Sequence, residues 1–293
     1  MPVEGKTGFV GLGRMGTAMA ANLAAAGRQV IAYIRHQNRM DELASLGLEP
    51  TTDITDLFDC EIVVSMLPDD DTVLDASFGR PDWYRRARHG IEARRCSPFD
   101  EHDRHGQGYV AAPVFGNPDA AKARELFIVA AGAPADVERC QPLLDVLGQR
   151  TFIVGAEPAH ANLIKLLGNM MTATTLEMLG ETVALVRKRD LDPNVFIEIL
   201  TTTMFGGRAH RIHDGKIVAQ SYAAGFALPL ALKDVRLTLA EAEAAKVPIP
   251  SVGVVRNRLL TGIARGYADP GWTALGLIAA KEADISAELS VER

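Results

Sequence analysis

Two residues inside one apolar stretch could do chemistry together: Lys165 and Asn169, four apart within residues 158–188. Between Ala159 and Val186 the charged side chains are Lys165, Glu177 and Glu181, and Leu, Ile, Met and Ala dominate the remainder. Residues four apart stand on one face of an α-helix, so an ammonium and an amide would share a patch. An ammonium held against an oxygen on which negative charge develops can stabilise that charge and deliver a proton. An amide beside it can orient a ligand without changing its charge. Asn162 and Thr172 prolong the stripe at spacings of three. The alternative from spacing alone is a lysine whose stem lies on apolar surface while its head reaches water.

A second pattern is Gly11-Leu12-Gly13-Arg14-Met15-Gly16, preceded by a strand-like run at 6–10 and followed by an alanine-rich helical stretch to about 26. In that context Gly11 permits a tight turn, Gly13 lets the backbone approach a pyrophosphate, and Gly16 lets helix pack on strand, while the helix amides face the anion. This is a dinucleotide site. A site specific for NAD would place Asp or Glu at the end of the next strand, 29–33, but Ile34, Arg35 and His36 stand there. A guanidinium suits a 2′-phosphate, with Arg39 a turn further on, so NADP is expected over NAD.

These residues need elements to hold them. Strands are expected at 61–67, 108–114, 126–131 and 151–154, with helices at 40–46 and 134–147. The run Met66-Leu67-Pro68 ends a strand where open α/β sheets bind ligands. The long helix opens on Pro158, is expected to be buried on most sides, and is too polar to span a membrane. After Arg189 the pattern is helical only, with helices near 193–203, 209–220, 228–245, 251–265 and 272–288. The fold expected is α/β: a Rossmann-type doubly wound sheet over 1–155, then an all-α domain over 156–293, joined by the long helix.

Composition excludes several roles. A formal net charge of −6 with 23% charged residues argues against nucleic acid or an anionic membrane as partner and leaves small molecules. The three cysteines follow no disulfide or zinc spacing. Asp69, Asp70 and Asp71 read as a helix cap or solvated carboxylates, so no metal is assigned. The chain enters its first strand without a basic and apolar leader, and a cytoplasmic location is expected.

Five motifs occur in one order over nearly the whole chain: the glycine turn, Met66-Leu67-Pro68, Ala112-Pro113-Val114-Phe115-Gly116, Lys165 with Asn169, and Lys233-Asp234. Together they resemble the β-hydroxyacid dehydrogenases, the family of 3-hydroxyisobutyrate dehydrogenase and the semialdehyde reductases. The resemblance implies an NADP-dependent oxidoreductase interconverting a small aldehyde or oxo acid and its hydroxy product. It implies Lys165 as general acid/base, Asn169 as substrate holder, Lys233 beside the nicotinamide, a 6-phosphogluconate dehydrogenase-like C-terminal domain, and a homodimer or tetramer. Phe226, Leu228, Leu230 and Leu232 add an apolar excess expected at the subunit interface.

The chain departs from the family pattern twice. Phe115, Gly116 and Asn117 stand where a serine and two glycines are usual, which points to a bulkier or less polar substrate pocket. Residues 80–105 hold seven arginines, three histidines and no lysine, without apolar periodicity. They are expected not to form a regular α/β element, as a local replacement, a shifted reading frame or a divergent surface loop. Ser97 is the candidate there for a substrate carboxylate. Two other readings stay open. Imine reductases share the architecture but usually carry Asp or Tyr in place of Lys165, and a dinucleotide-binding protein without turnover would fit an altered 80–105.

Overall fold

The computed structural model describes residues 5–67, 89–92, 106–222, 226–267 and 269–286. Its contacts divide the chain into two units, Met1–Lys165 and Leu166–Arg293.

Among the described residues the first unit is built on nine strands: β1 (Lys6–Val10), β2 (Gln29–Tyr33), β3 (Glu49–Thr51), β4 (Ile62–Ser65), β5 (His89–Glu92), β6 (Gly108–Ala111), β7 (Val114–Phe115), β8 (Leu126–Gly132) and β9 (Gly148–Ile153). They run in the order β3-β2-β1-β4-β5-β6-β8-β7, with β9 beside β8. From β3 to β6 the pairing is parallel, β8 is antiparallel to β6 and β7, and β9 is parallel to β8. Among the described residues its helices are α1 (Arg14–Ala25), α2 (Met40–Ser45), α3 (Pro118–Lys122) and α4 (Pro134–Leu147).

The sequence explains both faces of this sheet. In β4, Ile62, Val63, Val64 and Ser65 are all buried. Ile62 and Val64 join Phe9, Leu23, Leu144 and α1 in one core, whereas Val63 joins Val10, Leu57 and Phe58 in another. Side chains alternate across a strand, so a continuous apolar run serves two covered faces. Each such side chain contributes about 1.5–3 kcal/mol when removed from water.

Against expectation, the segment 80–105 does contribute to the sheet. Strand β5 lies between β4 and β6 in parallel register, with Val64 opposite Ile91 and Ile91 opposite Val110. Composition could not reveal it, because ladder hydrogen bonds come from the backbone and two ordered neighbours supply partners to any non-proline strand. Residues 80–88 and 93–105, with Ser97 among them, lie outside the described residues, as does Pro68.

Helix α5 (Pro158–Lys188) starts in the first unit and continues into the second. The second unit adds α6 (Pro193–Thr203), α7 (Arg208–Val218), α8 (Leu228–Ala244), α9 (Pro250–Ala264) and, after a 3-10 turn at Trp272–Ala274, α10 (Leu275–Glu282). Helix α6 starts where the Asp192-Pro193 signal placed it: the Asp192 carboxylate accepts from the Asn194 amide at 2.8 Å. Leu176, Leu179, Val183, Leu228, Val235, Leu259 and Ile278 form the core of this unit. Glu177 is buried beside them, and burial pushes its carboxyl up to about 7 although Arg258 donates to it at 2.5 Å.

Two expectations about apolar surface need correction. Leu228 and Leu232 are buried in this unit's own core, Phe226 packs against it, and of these three leucines and one phenylalanine only Leu230 is exposed. Helix α5, expected to be buried on most sides, instead exposes Met171, Met178 and Leu185, which are 66%, 45% and 63% accessible. Its other side carries Ala173, Leu176, Leu179 and Val183 into the core. An apolar helix therefore has one covered side and one open side in the single chain.

Candidate cofactor and active site

The glycine turn is built for a close approach of backbone to backbone. Gly11 has φ +91°, and a Cβ there would stand 2.2 Å from the Met66 carbonyl oxygen. A Cβ on Gly16 would stand 2.0 Å from the Gly11 carbonyl oxygen, so only glycine lets α1 seat on the turn. Gly13 differs, because no atom lies within 4 Å of an added Cβ. It caps α1 without a side-chain hydrogen bond, and the first turn holds no acidic residue. An open glycine at the positive end of a helix, free of competing carboxylates, fits a pyrophosphate.

The remaining turn residues hold this shape. Leu12 is buried, and its carbonyl accepts from Thr17 Oγ1 at 2.9 Å and Arg39 Nη1 at 2.5 Å. Arg14 is exposed and Met15 half-buried. The Met66 amide donates to the Val10 carbonyl at 2.8 Å, which places Met66 and Leu67 at the carboxyl ends of the strands. Arg35 is exposed just past β2. Arg39 is otherwise occupied: it donates to both carboxylate oxygens of Glu42, at 2.8 and 2.7 Å, as well as to Leu12. It braces the turn, and Arg35 is the guanidinium left facing outward beside β2.

Two further groups contain the candidate catalytic residues, one in each unit. In the first unit, Lys165 Nζ lies 4.3 Å from the centroid of the Phe115 ring on β7. Gly116 follows in the turn, and Asn117 caps α3, its Oδ1 accepting from the Ala120 amide at 2.9 Å. That oxygen is therefore engaged by the fold. Three residues before Lys165, both amide atoms of Asn162 are buried without a hydrogen-bond partner among the described residues. In the second unit, Asn169 Nδ2 donates to Asp234 Oδ2 at 2.8 Å, and Asp234 is 8% exposed. Lys233, beside it on α8, is half-buried. Thr172, which shared the predicted stripe, turns its hydroxyl to the Gly168 carbonyl at 3.0 Å.

Asp234 is the residue that sequence reasoning passed over. It stood in view as half of a Lys-Asp pair, yet only its partner received a role. A buried aspartate in an otherwise apolar helix face was the available signal, because a buried carboxylate demands a donor. Among the described residues no cluster of three metal-ligating side chains occurs, and no helix is long and apolar enough to cross a membrane.

Comparison with known proteins identifies the family. The family model for the NAD-binding domain of 6-phosphogluconate dehydrogenase matches residues 6–155. The model for NAD-binding of NADP-dependent 3-hydroxyisobutyrate dehydrogenase matches residues 159–277. An uncharacterised oxidoreductase of Bacillus subtilis, YfjR, is 32% identical over 281 residues, covering 92% of this chain and 98% of its own length. The 2-hydroxy-3-oxopropionate reductase of Escherichia coli is 28% identical over 286 residues, covering 92% and 95%. Among solved structures, a 3-hydroxyisobutyrate dehydrogenase from Salmonella typhimurium superposes with a TM-score of 0.82 at 18% identity, covering 93% of this chain and 99% of its own, which shows a shared fold. With a glycine turn fitted to a pyrophosphate, a doubly wound sheet and an all-helical second unit, this chain belongs to the β-hydroxyacid dehydrogenase family, the nicotinamide-dependent oxidoreductases that act on hydroxyl groups.

Proposed function

We propose that this enzyme reduces the carbonyl group of a small aldehyde or oxo acid with NADPH, reversibly, and that Lys165 is its proton donor. The observation that carries the reading is the bond from Asn169 to buried Asp234, one helical turn from Lys165. A buried carboxylate that fixes an amide rotamer leaves the rest of that amide pointing in one direction, which is what orienting a substrate requires. A nicotinamide held there would supply the hydride that the carbonyl carbon takes up. Negative charge then grows on the carbonyl oxygen, where the Lys165 ammonium hydrogen-bonds, neutralises it and gives up a proton. In the reverse direction the neutral amine accepts that proton. Gly11 to Gly16 with Arg35 would hold the cofactor, and the family resemblance is what assigns Lys233 a place beside the nicotinamide.

The test is NADPH oxidation over a panel of aldehydes, 2-oxo acids and cyclic imines. Turnover of at least one carbonyl compound, with imines inert, is the expected result. Cofactor binding without oxidation of NADPH by any carbonyl compound would overturn the reading, and reduction of imines alone would replace it. The panel includes apolar aldehydes because Phe115 offers no hydrogen bond to a substrate carboxylate and the Asn117 side-chain oxygen is already engaged.

The functional unit is proposed to be a homodimer or a tetramer. Met171, Met178 and Leu185 recur every seven residues on the open side of α5, and Val195 and Ile199 on α6 are 51% and 57% exposed. No residue of α6 is buried, although the helix is rich in Val, Phe, Ile and Leu. Phe196 and Ile197 pack partly against the unit's core, but Val195 and Ile199 stay exposed; an apolar face left open needs a partner, and a second copy offers a self-complementary one. Light scattering at micromolar concentration is expected to give at least twice the chain mass, and Leu185→Asp combined with Ile199→Asp is expected to give the monomer. A wild-type monomer rejects the assembly.

A further inference from the structure

The ring at position 115 has so far been read as the loss of a hydroxyl, but its placement gives it a use of its own. Phe115 is half-buried and packs against the cluster of Tyr109, Ala111, Val129, Ala131 and Ala161. Its backbone is set by β7, in which Val114 stands opposite Ile128 and Phe115 opposite Phe127. The Asn117 cap then fixes how the chain leaves the strand. The backbone that carries the ring is thus set by main-chain pairing.

Helix α5 brings Lys165 to that ring. Side chains on a helix lean back toward its N-terminus, so the stem of Lys165 passes over the residue one turn earlier. That residue is Ala161, which is 0% exposed and belongs to the cluster on which Phe115 packs. The ammonium sits 4.3 Å from the Phe115 ring centroid. A cation over an aromatic face at this distance is attracted by the ring quadrupole, more strongly where water is partly excluded. A lysine side chain with four rotatable bonds gains one preferred place for its charge.

We propose that Phe115 is a positioning residue for Lys165: its ring face seats the ammonium above the first turns of the long helix. The seat rests on contacts within the first unit alone. Its consequence for turnover rests on the preceding reading of Lys165 as proton donor. A ring in this place restricts where the ammonium stands without competing for its proton, since an aromatic face accepts only weakly and carries no ionisable group.

Two measurements test this, one of them independent of activity. Reductive methylation with 13C-formaldehyde keeps lysine charged and labels each amine, and loss of one signal in Lys165→Arg assigns Lys165. Its methyl signal is expected upfield of the other lysines in the wild type, from the ring current of Phe115. The shift should vanish in Phe115→Leu and persist in Phe115→Tyr. In steady-state kinetics, Phe115→Leu is expected to lower kcat about two- to tenfold, with carbonyl KM and NADPH affinity moving less, and Phe115→Tyr to recover most of it. An unshifted Lys165 signal in the wild type, or one unchanged in Phe115→Leu, overturns the seat. A lost shift with wild-type kinetics overturns the positioning role. A shifted signal in a protein that reduces no carbonyl compound upholds the seat and overturns the proton-donor reading.

Discussion

Lys165→Ala is expected to lower kcat by about a hundredfold or more while NADPH affinity stays within about twofold. The size follows from what the residue is proposed to supply, since a positioned general acid contributes about 10²–10⁴ in rate. The split between kcat and affinity follows from where the proposed cofactor contacts lie: Gly11 to Gly16, Arg35, Met66 and Leu67 belong to the glycine turn and the strand ends, on elements other than the helix that carries Lys165. Ala is helix-favouring and α5 is long, so the substitution leaves the helix intact. Lys165→Arg should not rescue, because an arginine does not release its proton at neutral pH. Stopped-flow NADPH oxidation and cofactor titration together separate the two quantities. Near wild-type turnover in Lys165→Ala would return the residue to the role of a lysine reaching water along an apolar surface.

NADPH is expected to bind about ten- to a hundredfold more tightly than NADH, and Arg35→Ala is expected to erase that difference. A hydrogen bond to a charged group contributes about 1.5–3 kcal/mol, which converts to that range of affinity. Arg35 is exposed beyond β2, where no carboxylate waits for a ribose hydroxyl. The loss in Arg35→Ala should fall on NADPH alone, with the NADH dissociation constant nearly unchanged. Salt should weaken the wild-type preference, since the contact is partly exposed. Arg39→Ala should act differently, because Arg39 is tied to Glu42 and to the Leu12 carbonyl. Without Arg39 the Leu12 carbonyl keeps only the Thr17 hydroxyl as a side-chain donor, which loosens the glycine turn and should weaken both cofactors alike. Equal dissociation constants for NADPH and NADH in the wild type would sink the assignment of Arg35.

What the sequence determined by itself was whatever local chemistry decides. Strand, glycine turn and α1 were legible because backbone strain and helix packing allow only glycine at Gly11 and Gly16, and both requirements act within a few residues. The start of α6 was legible for the same reason, a cap and a proline in adjacent positions. Strand β5 was not, because its own side chains carry no apolar pattern and its pairing comes from β4 and β6. The antiparallel direction of β8 was equally hidden, since a buried apolar run reads the same either way. Lys165 and Asn169 could be named from spacing, but not what holds them. Phe115 meets Lys165, and Asp234 meets Asn169 across 65 residues of sequence, only because the sheet and the helices bring them together. Which apolar residues face water was likewise decided by packing. Leu228 and Leu232 found a core, whereas Met171 and Leu185 on an equally apolar helix did not, because hydrophobicity states the need for burial and only tertiary structure states what meets it.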